Sequence, residues 1–162
     1  MADVICNTSP LQYLHQIGQL SLLPALVQRV IVPQAVAEEI ERGRTKGIDL
    51  PGLSALAWVE IRRPASALAL PLVTDLGPGE TEVLALALES SDALVVLDDA
   101  VARRVAETHG LRLTGTLGFL LSGKRAGLIA NVAPILDHLQ MLRFRIAPHT
   151  RAAVLKLAGE AK

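Results

Sequence analysis

Leu94-Val95-Val96-Leu97-Asp98-Asp99 decides how this chain reads. Four apolar residues, two of them β-branched, run straight into two adjacent acids. A short apolar run bounded in this way is a strand of a parallel sheet, buried on both faces. Ligands of open α/β sheets bind just beyond the carboxyl ends of their strands. Asp98 and Asp99 therefore emerge where such folds do chemistry. Three more polar clusters stand at comparable points: Asn7-Thr8-Ser9 after Val4-Ile5-Cys6, Glu38-Glu39 shortly after Val30-Ile31-Val32, and Glu80 in Gly77-Pro78-Gly79-Glu80. Several acids converging on one crevice repel one another and need a cation between them.

Outward from that stretch, strands alternate with helices. Val4–Cys6 and Val30–Val32 read as strands, with a third at Trp58–Ile61 and a last short one at Leu111–Thr114. Thr8 or Ser9 is placed to cap a helix, with Pro10 in its first turn and Gly18 at its end. A second short helix spans Leu20–Gln28. Gln34–Arg42 has Val36 and Ile40 inward and Gly43 as its stop. Arg44–Leu53 reads as a loop, and 62–74 has no clear pattern. Gly77-Pro78-Gly79 opens a helix through Glu89. Val101–Thr108 and Thr116–Lys124 follow, then Asn131–Leu142 and Thr150–Ala158. This alternation predicts a parallel sheet with helices on both faces, in one domain over residues 1–162.

The composition narrows the function classes. Hydrophobic residues make up 51% of the 162, so a core is affordable, but aromatics are only 2%. Binding single strands by base stacking needs exposed rings. Tyr13, Trp58, Phe119 and Phe144 are too few and too scattered for that. Cys6, the one cysteine, excludes a disulfide or a thiolate metal site within the chain. No leader segment reads before the first strand, and no apolar run reaches the roughly 18 residues of a membrane span, so a cytoplasmic protein is expected. Net charge is zero but uneven: residues 1–99 hold 6 Lys/Arg against 13 Asp/Glu, and residues 100–162 hold 10 against 3. A basic surface beside an acidic pocket would draw a polyanion to the acids.

The candidate residues have plainer readings as well. Either acid of the pair could cap the helix near Ala100, but one would suffice. Glu80 in a first helical turn also suits the helix dipole. Of Glu38 and Glu39, about 100° apart on a helix, at most one faces the crevice. Thr8 and Ser9 have no histidine placed to activate them, and His15, His109, His138 and His149 lack metal-ligand spacing. Gly115-Thr116 follows the last strand, where a hydroxyl and backbone N–H groups can meet a phosphate. Arg103 and Arg104, one turn after the acid pair, can do the same. A phosphoacceptor domain would need its acid pair after the first strand and a lysine after a late one, and neither is present.

The spaced motifs together resemble the PIN-domain superfamily. They are Asn7-Thr8-Ser9-Pro10-Leu11, Pro33-x-x-Val36-x-x-Glu39, Leu76-Gly77-Pro78-Gly79-Glu80-x-Glu82, Leu97-Asp98-Asp99-x-x-Ala102-Arg103 and Thr114-Gly115-Thr116-Leu117-Gly118. They look closest to a bacterial and archaeal PIN-like branch of unknown function. The motif core covers about 3–130, with C-terminal helices over 131–162. The resemblance implies a three-layer α/β fold with a central parallel sheet, and a Mg²⁺- or Mn²⁺-dependent ribonuclease. It also implies a possible toxin role beside a small antitoxin protein, and a homodimer. Residue by residue, it implies that Asn7 stands where most PIN nucleases carry their first Asp. Glu38 or Glu39 supplies the second acid, Glu80 the one on the central helix, and Asp99 beside Asp98 the one after the fourth strand. Thr116 falls near a hydroxyl position often found by the metal site, and Thr8, Ser9, Arg103, Arg104 and Thr116 are expected to hold RNA. Asn7 is a departure: an amide oxygen can ligate a cation but carries no charge. The alternative is a weak or inactive PIN-like module that binds RNA or a protein. The apolar stripe Val132, Ile135, Leu136, Leu139 and Leu142 is expected at a dimer interface or against the chain's own sheet.

Overall fold

In the computed structural model, residues 2–65 and 76–160 are described. The patternless stretch 62–74 therefore lies outside the described residues from residue 66 onward. Strands β1 (Asp3–Cys6), β2 (Val30–Pro33), β3 (Val59–Arg62), β4 (Ala93–Val96) and β5 (Arg112–Thr114) form one all-parallel sheet in the order β3-β2-β1-β4-β5. The helices that flank it are α1 (Thr8–Gln16), α2 (Leu22–Val27), α3 (Gln34–Thr45), α4 (Pro78–Glu89), α5 (Ala100–Thr108), α6 (Thr116–Arg125), α7 (Ala133–Met141) and α8 (Pro148–Leu157). This is the three-layer α/β architecture that the sequence predicts.

The strand order positions the site. From β1 the chain winds to β2 and β3 on one side, and from β4 to β5 on the other. β1 and β4 therefore meet at the switch point, where a crevice opens at the strands' carboxyl ends. Their register pairs Cys6 with Val96. Asn7 and the Leu97-Asp98-Asp99 run consequently leave the sheet side by side.

Three local readings are corrected. Gly43 does not stop α3, which runs on to Thr45. A side chain at Gly43 would collide with Leu50, so this glycine serves a close approach, and Gly47 takes the left-handed turn instead (φ +83°). The first two of the supposed loop residues, Arg44 and Thr45, therefore belong to the helix. At α1 the N-cap is Asn7, not Thr8 or Ser9, and no side chain caps it. Both hydroxyls are drawn away to carboxylates.

The apolar stripe on α7 packs inside its own chain. Val132, Leu136 and Leu139 are fully buried, and Ile135 and Leu142 pack against the same core. The stripe thus covers the chain's own core and gives no argument for an interface. The segment after α8 is latched to α7 by Glu160. Its carboxylate accepts from the backbone N–H of Val132 (2.7 Å) and Ala133 (3.0 Å), and from the Lys124 ammonium (3.1 Å). Those two N–H groups, then Lys124, hold the Glu160 carboxyl below its ordinary range. A lowered carboxylate pKa means stability that is present above the unfolded value and lost as pH falls through the folded one. Glu160→Ala should cost about 1–3 kcal/mol at neutral pH. In thermal melts, the difference from the parent should shrink as pH drops below the carboxylate range. A difference that stays constant into acid would refute the latch.

Candidate functional site

Four elements deliver oxygen atoms to the crevice. Asn7, at the end of β1, is 3% exposed. Its amide nitrogen donates to Glu80 Oε1 at 3.4 Å, while its Oδ1 is buried without a partner. Glu80 reaches it from the first turn of α4, which Pro78 opens. From α3 comes Glu39, whose Oε2 accepts the Thr8 hydroxyl at 3.0 Å. A Cβ on Gly79 would stand 3.0 Å from Glu39 Oε2 and 3.3 Å from Asn7 Oδ1. The missing side chain of Gly79 is what lets these two oxygens approach over α4. Glu38, one residue away, accepts from Gln34 at 3.2 Å. Of the two adjacent acids, Glu39 is the one that meets Thr8 and lies against Gly79.

The spacing of α3 from α4 is fixed by Glu82, another residue of the Gly79-Glu80-x-Glu82 motif. Its Oε1 accepts from the Ala35 backbone N–H at 2.9 Å, filling the start of α3. The sequence reading names Glu82 in the motif but gives it no role. An acid two places after Glu80 points elsewhere on the helix, and its job is visible only once α3 lies alongside.

The acid pair divides its labour. Asp99 is the N-cap of α5, with Oδ2 accepting from Ala102 N at 2.9 Å, and it is exposed. Asp98 turns inward. Its carboxylate accepts from the Thr116 backbone N–H (2.8 Å), the Thr116 hydroxyl (2.6 Å) and the Ser9 hydroxyl (3.3 Å). Burial raises the Asp98 pKa, opposed by the Thr116 and Ser9 hydrogen bonds and the Arg103 charge. Thr116 is fully buried. Its hydroxyl and N–H both donate to Asp98. Arg103 donates to the Leu97 carbonyl at 2.6 Å beside Asp98. Arg104 lies on the exposed side of α5 and lines none of the crevice cavities.

Glu80 and Asp99 line one open cavity of about 400 Å³, together with Asn7, Ser9, Tyr13 and Asp98. Arg143, Phe144 and Arg145 close its far wall. Glu38, Glu39 and Glu80 border a neighbouring cavity with Arg42. Sequence reasoning placed Arg143 and Arg145 only among many C-terminal cations. Tyr13 and Phe144 meet edge to face at 4.9 Å and bring that segment to the crevice. Their distant positions in the sequence gave no sign of it.

The donors fit a hard divalent cation in kind. They are oxygen atoms only, and one of them, Asn7 Oδ1, is buried and unpartnered next to two carboxylates. Among the described residues, however, no three Asp, Glu, His or Cys side chains are grouped to share one ion. The set that fits is therefore two carboxylates with an amide, Glu39, Glu80 and Asn7.

The chain is thus a parallel α/β sheet with oxygen donors gathered at its switch point. The PIN-domain family model, from a branch of unknown function, matches residues 3–160, and the chain belongs to that family. PIN domains are generally divalent-metal dependent and linked to RNA. No curated protein gives a significant match. Among the described residues, no helix is long and apolar enough to cross a membrane.

Proposed function

We propose that this chain is a divalent-metal-dependent ribonuclease, using Mg²⁺ or Mn²⁺. The observation that carries the reading is the buried, unpartnered Oδ1 of Asn7 beside Glu39 and Glu80. An orphaned buried acceptor costs about 1–3 kcal/mol, and a hard cation is the partner that the neighbouring carboxylates would also accept. Glu39 and Glu80 would hold the ion, with Asn7 as a neutral third ligand and Asp99 contributing from the other rim. When bound, the cation would activate a water and offset charge on the scissile phosphate. Asp98 keeps Thr116 and Ser9 in place and so fixes the floor of the crevice. Arg103, Arg143 and Arg145 would hold the RNA backbone.

The test is cleavage of RNA by the purified chain with Mn²⁺ and with Mg²⁺. Wild type should cut, and Glu80→Gln should slow cleavage on the order of a hundredfold or more. Absence of metal-dependent cleavage in both proteins, with RNA still bound, would instead support the second reading. That reading is a catalytically weak or inactive PIN-like module, and the uncharged Asn7 with no grouped trio of acids favours it. A toxin role with a small antitoxin protein, a cytoplasmic location and a homodimer belong to the same proposal. The homodimer rests on family likeness alone, now that the α7 stripe is buried. Light scattering at twice 17.2 kDa would support it, and a mass of one chain would end it.

A further inference from the structure

Beside the acid-lined cavity lies a second one of about 360 Å³, sharing Asp98, Phe144 and Arg145 with it. Its other walls include Arg103, Gly115, Gly118 and Thr150. It is bounded by the start of α6, by α5 and by the turn between α7 and α8.

That turn is held rigidly. Arg143 takes a left-handed conformation (φ +69°), and Phe144 N donates to the Leu139 carbonyl at 3.0 Å. The Phe144 ring is braced on Tyr13, and Ile146 is buried. Arg151 ties α8 to α7 through Gln140 (2.8 Å) and Asp137 (2.7 Å). Phe144 and Ile146 thus face inward while Arg143 and Arg145 stand exposed. Among the described residues neither guanidinium has an ion-pair partner, although Arg29, Arg44, Arg62, Arg112 and Arg151 all do. Asp98 borders the cavity, but Thr116 and Ser9 donors already occupy its oxygens. The two guanidiniums that line this space are Arg145 and Arg103, the latter with one nitrogen donating to the Leu97 carbonyl, and with Thr150 beside them they suit a phosphate group.

We propose that Arg145, with Arg103 and Thr150, forms a nucleotide-phosphate subsite next to the acid crevice. It takes a phosphate of the bound strand away from the one at the acids. The subsite rests on the reading of the crevice as an RNA site. The phosphate is either an internal diester or a terminal 5′-phosphate.

The test is binding of a labelled single-stranded oligoribonucleotide, with and without a 5′-phosphate, in EDTA across a salt series. Arg145→Ala should weaken binding about 3- to 10-fold and reduce the salt slope by about 0.7. Arg125→Ala removes the same charge at an exposed position outside both cavities and should do neither. Equal loss with both oligonucleotides assigns an internal phosphate. Loss of a wild-type preference for the phosphorylated end assigns a terminal one. If Arg145→Ala and Arg125→Ala behave alike, the subsite is overturned. If wild type binds no RNA at all, the RNA reading fails separately, and inorganic phosphate becomes the probe. Phosphate-dependent amide shifts at Gly115, Gly118 and Thr150 would then keep the subsite, and their absence would remove it.

Discussion

Asp98→Ala should be among the most destabilising single substitutions at this site. Thr116 is fully buried, and Asp98 accepts from both its N–H and its hydroxyl. Removing that carboxylate strands two buried donors at the start of α6 and frees the Ser9 hydroxyl. Orphaned donors of this kind cost about 1–3 kcal/mol each, less what is regained because a desolvated charge disappears. A net loss of about 2–4 kcal/mol follows, or roughly 5–15 °C in melting temperature for a chain of this size. Asp98→Asn separates the causes. It keeps an acceptor for the Thr116 N–H and drops the charge that burial disfavours. Its cost should be less than half that of the alanine variant. If Asn and Ala are equally harmful, the charge matters more than the acceptors. If Ala is neutral, the network does not hold α6.

Asn7→Asp should change stability in opposite directions without and with metal. Without metal, the new carboxylate is nearly fully buried and loses the donor that Asn7 extends to Glu80 at 3.4 Å. Two carboxylates would then face each other, at a cost of about 2–4 kcal/mol. A divalent cation between them reverses the sign, because it meets one more formal charge. The variant should therefore melt lower than wild type in EDTA and gain more on adding Mn²⁺, with affinity tighter by tenfold or more. Thermal melts in EDTA and in millimolar Mn²⁺ check both halves. If the variant gains no more from Mn²⁺ than wild type, the Asn7 side chain does not face the cation.

The strands and the acids at their ends were legible because they obey local rules. Leu94–Leu97 is continuously apolar since both faces of a parallel strand are covered, and Asp98-Asp99 marks its end. What escaped depended on partners far along the chain. Gly43 looks like a helix stop, yet it is a point of close packing on Leu50. Thr8 and Ser9 look like caps, yet their hydroxyls go to Glu39 and Asp98. Which of Glu38 and Glu39 meets Gly79 and Thr8 needed the packing of α3 on α4, and it is Glu39. Arg143 and Arg145 reach the crevice because Phe144 meets Tyr13, a contact no local pattern encodes. Spacing therefore finds the acids, and tertiary packing decides which of them converge.

The most direct test of the metal centre is calorimetric titration of Mn²⁺ into wild type, Glu80→Gln, Glu39→Gln and Glu38→Gln. Wild type should bind at one saturable site. Glu80→Gln and Glu39→Gln should each weaken it at least about tenfold, and Glu38→Gln should leave it unchanged. Binding that survives in both Glu80→Gln and Glu39→Gln, or that falls equally in Glu38→Gln, would contradict a cation held between α3, α4 and Asn7.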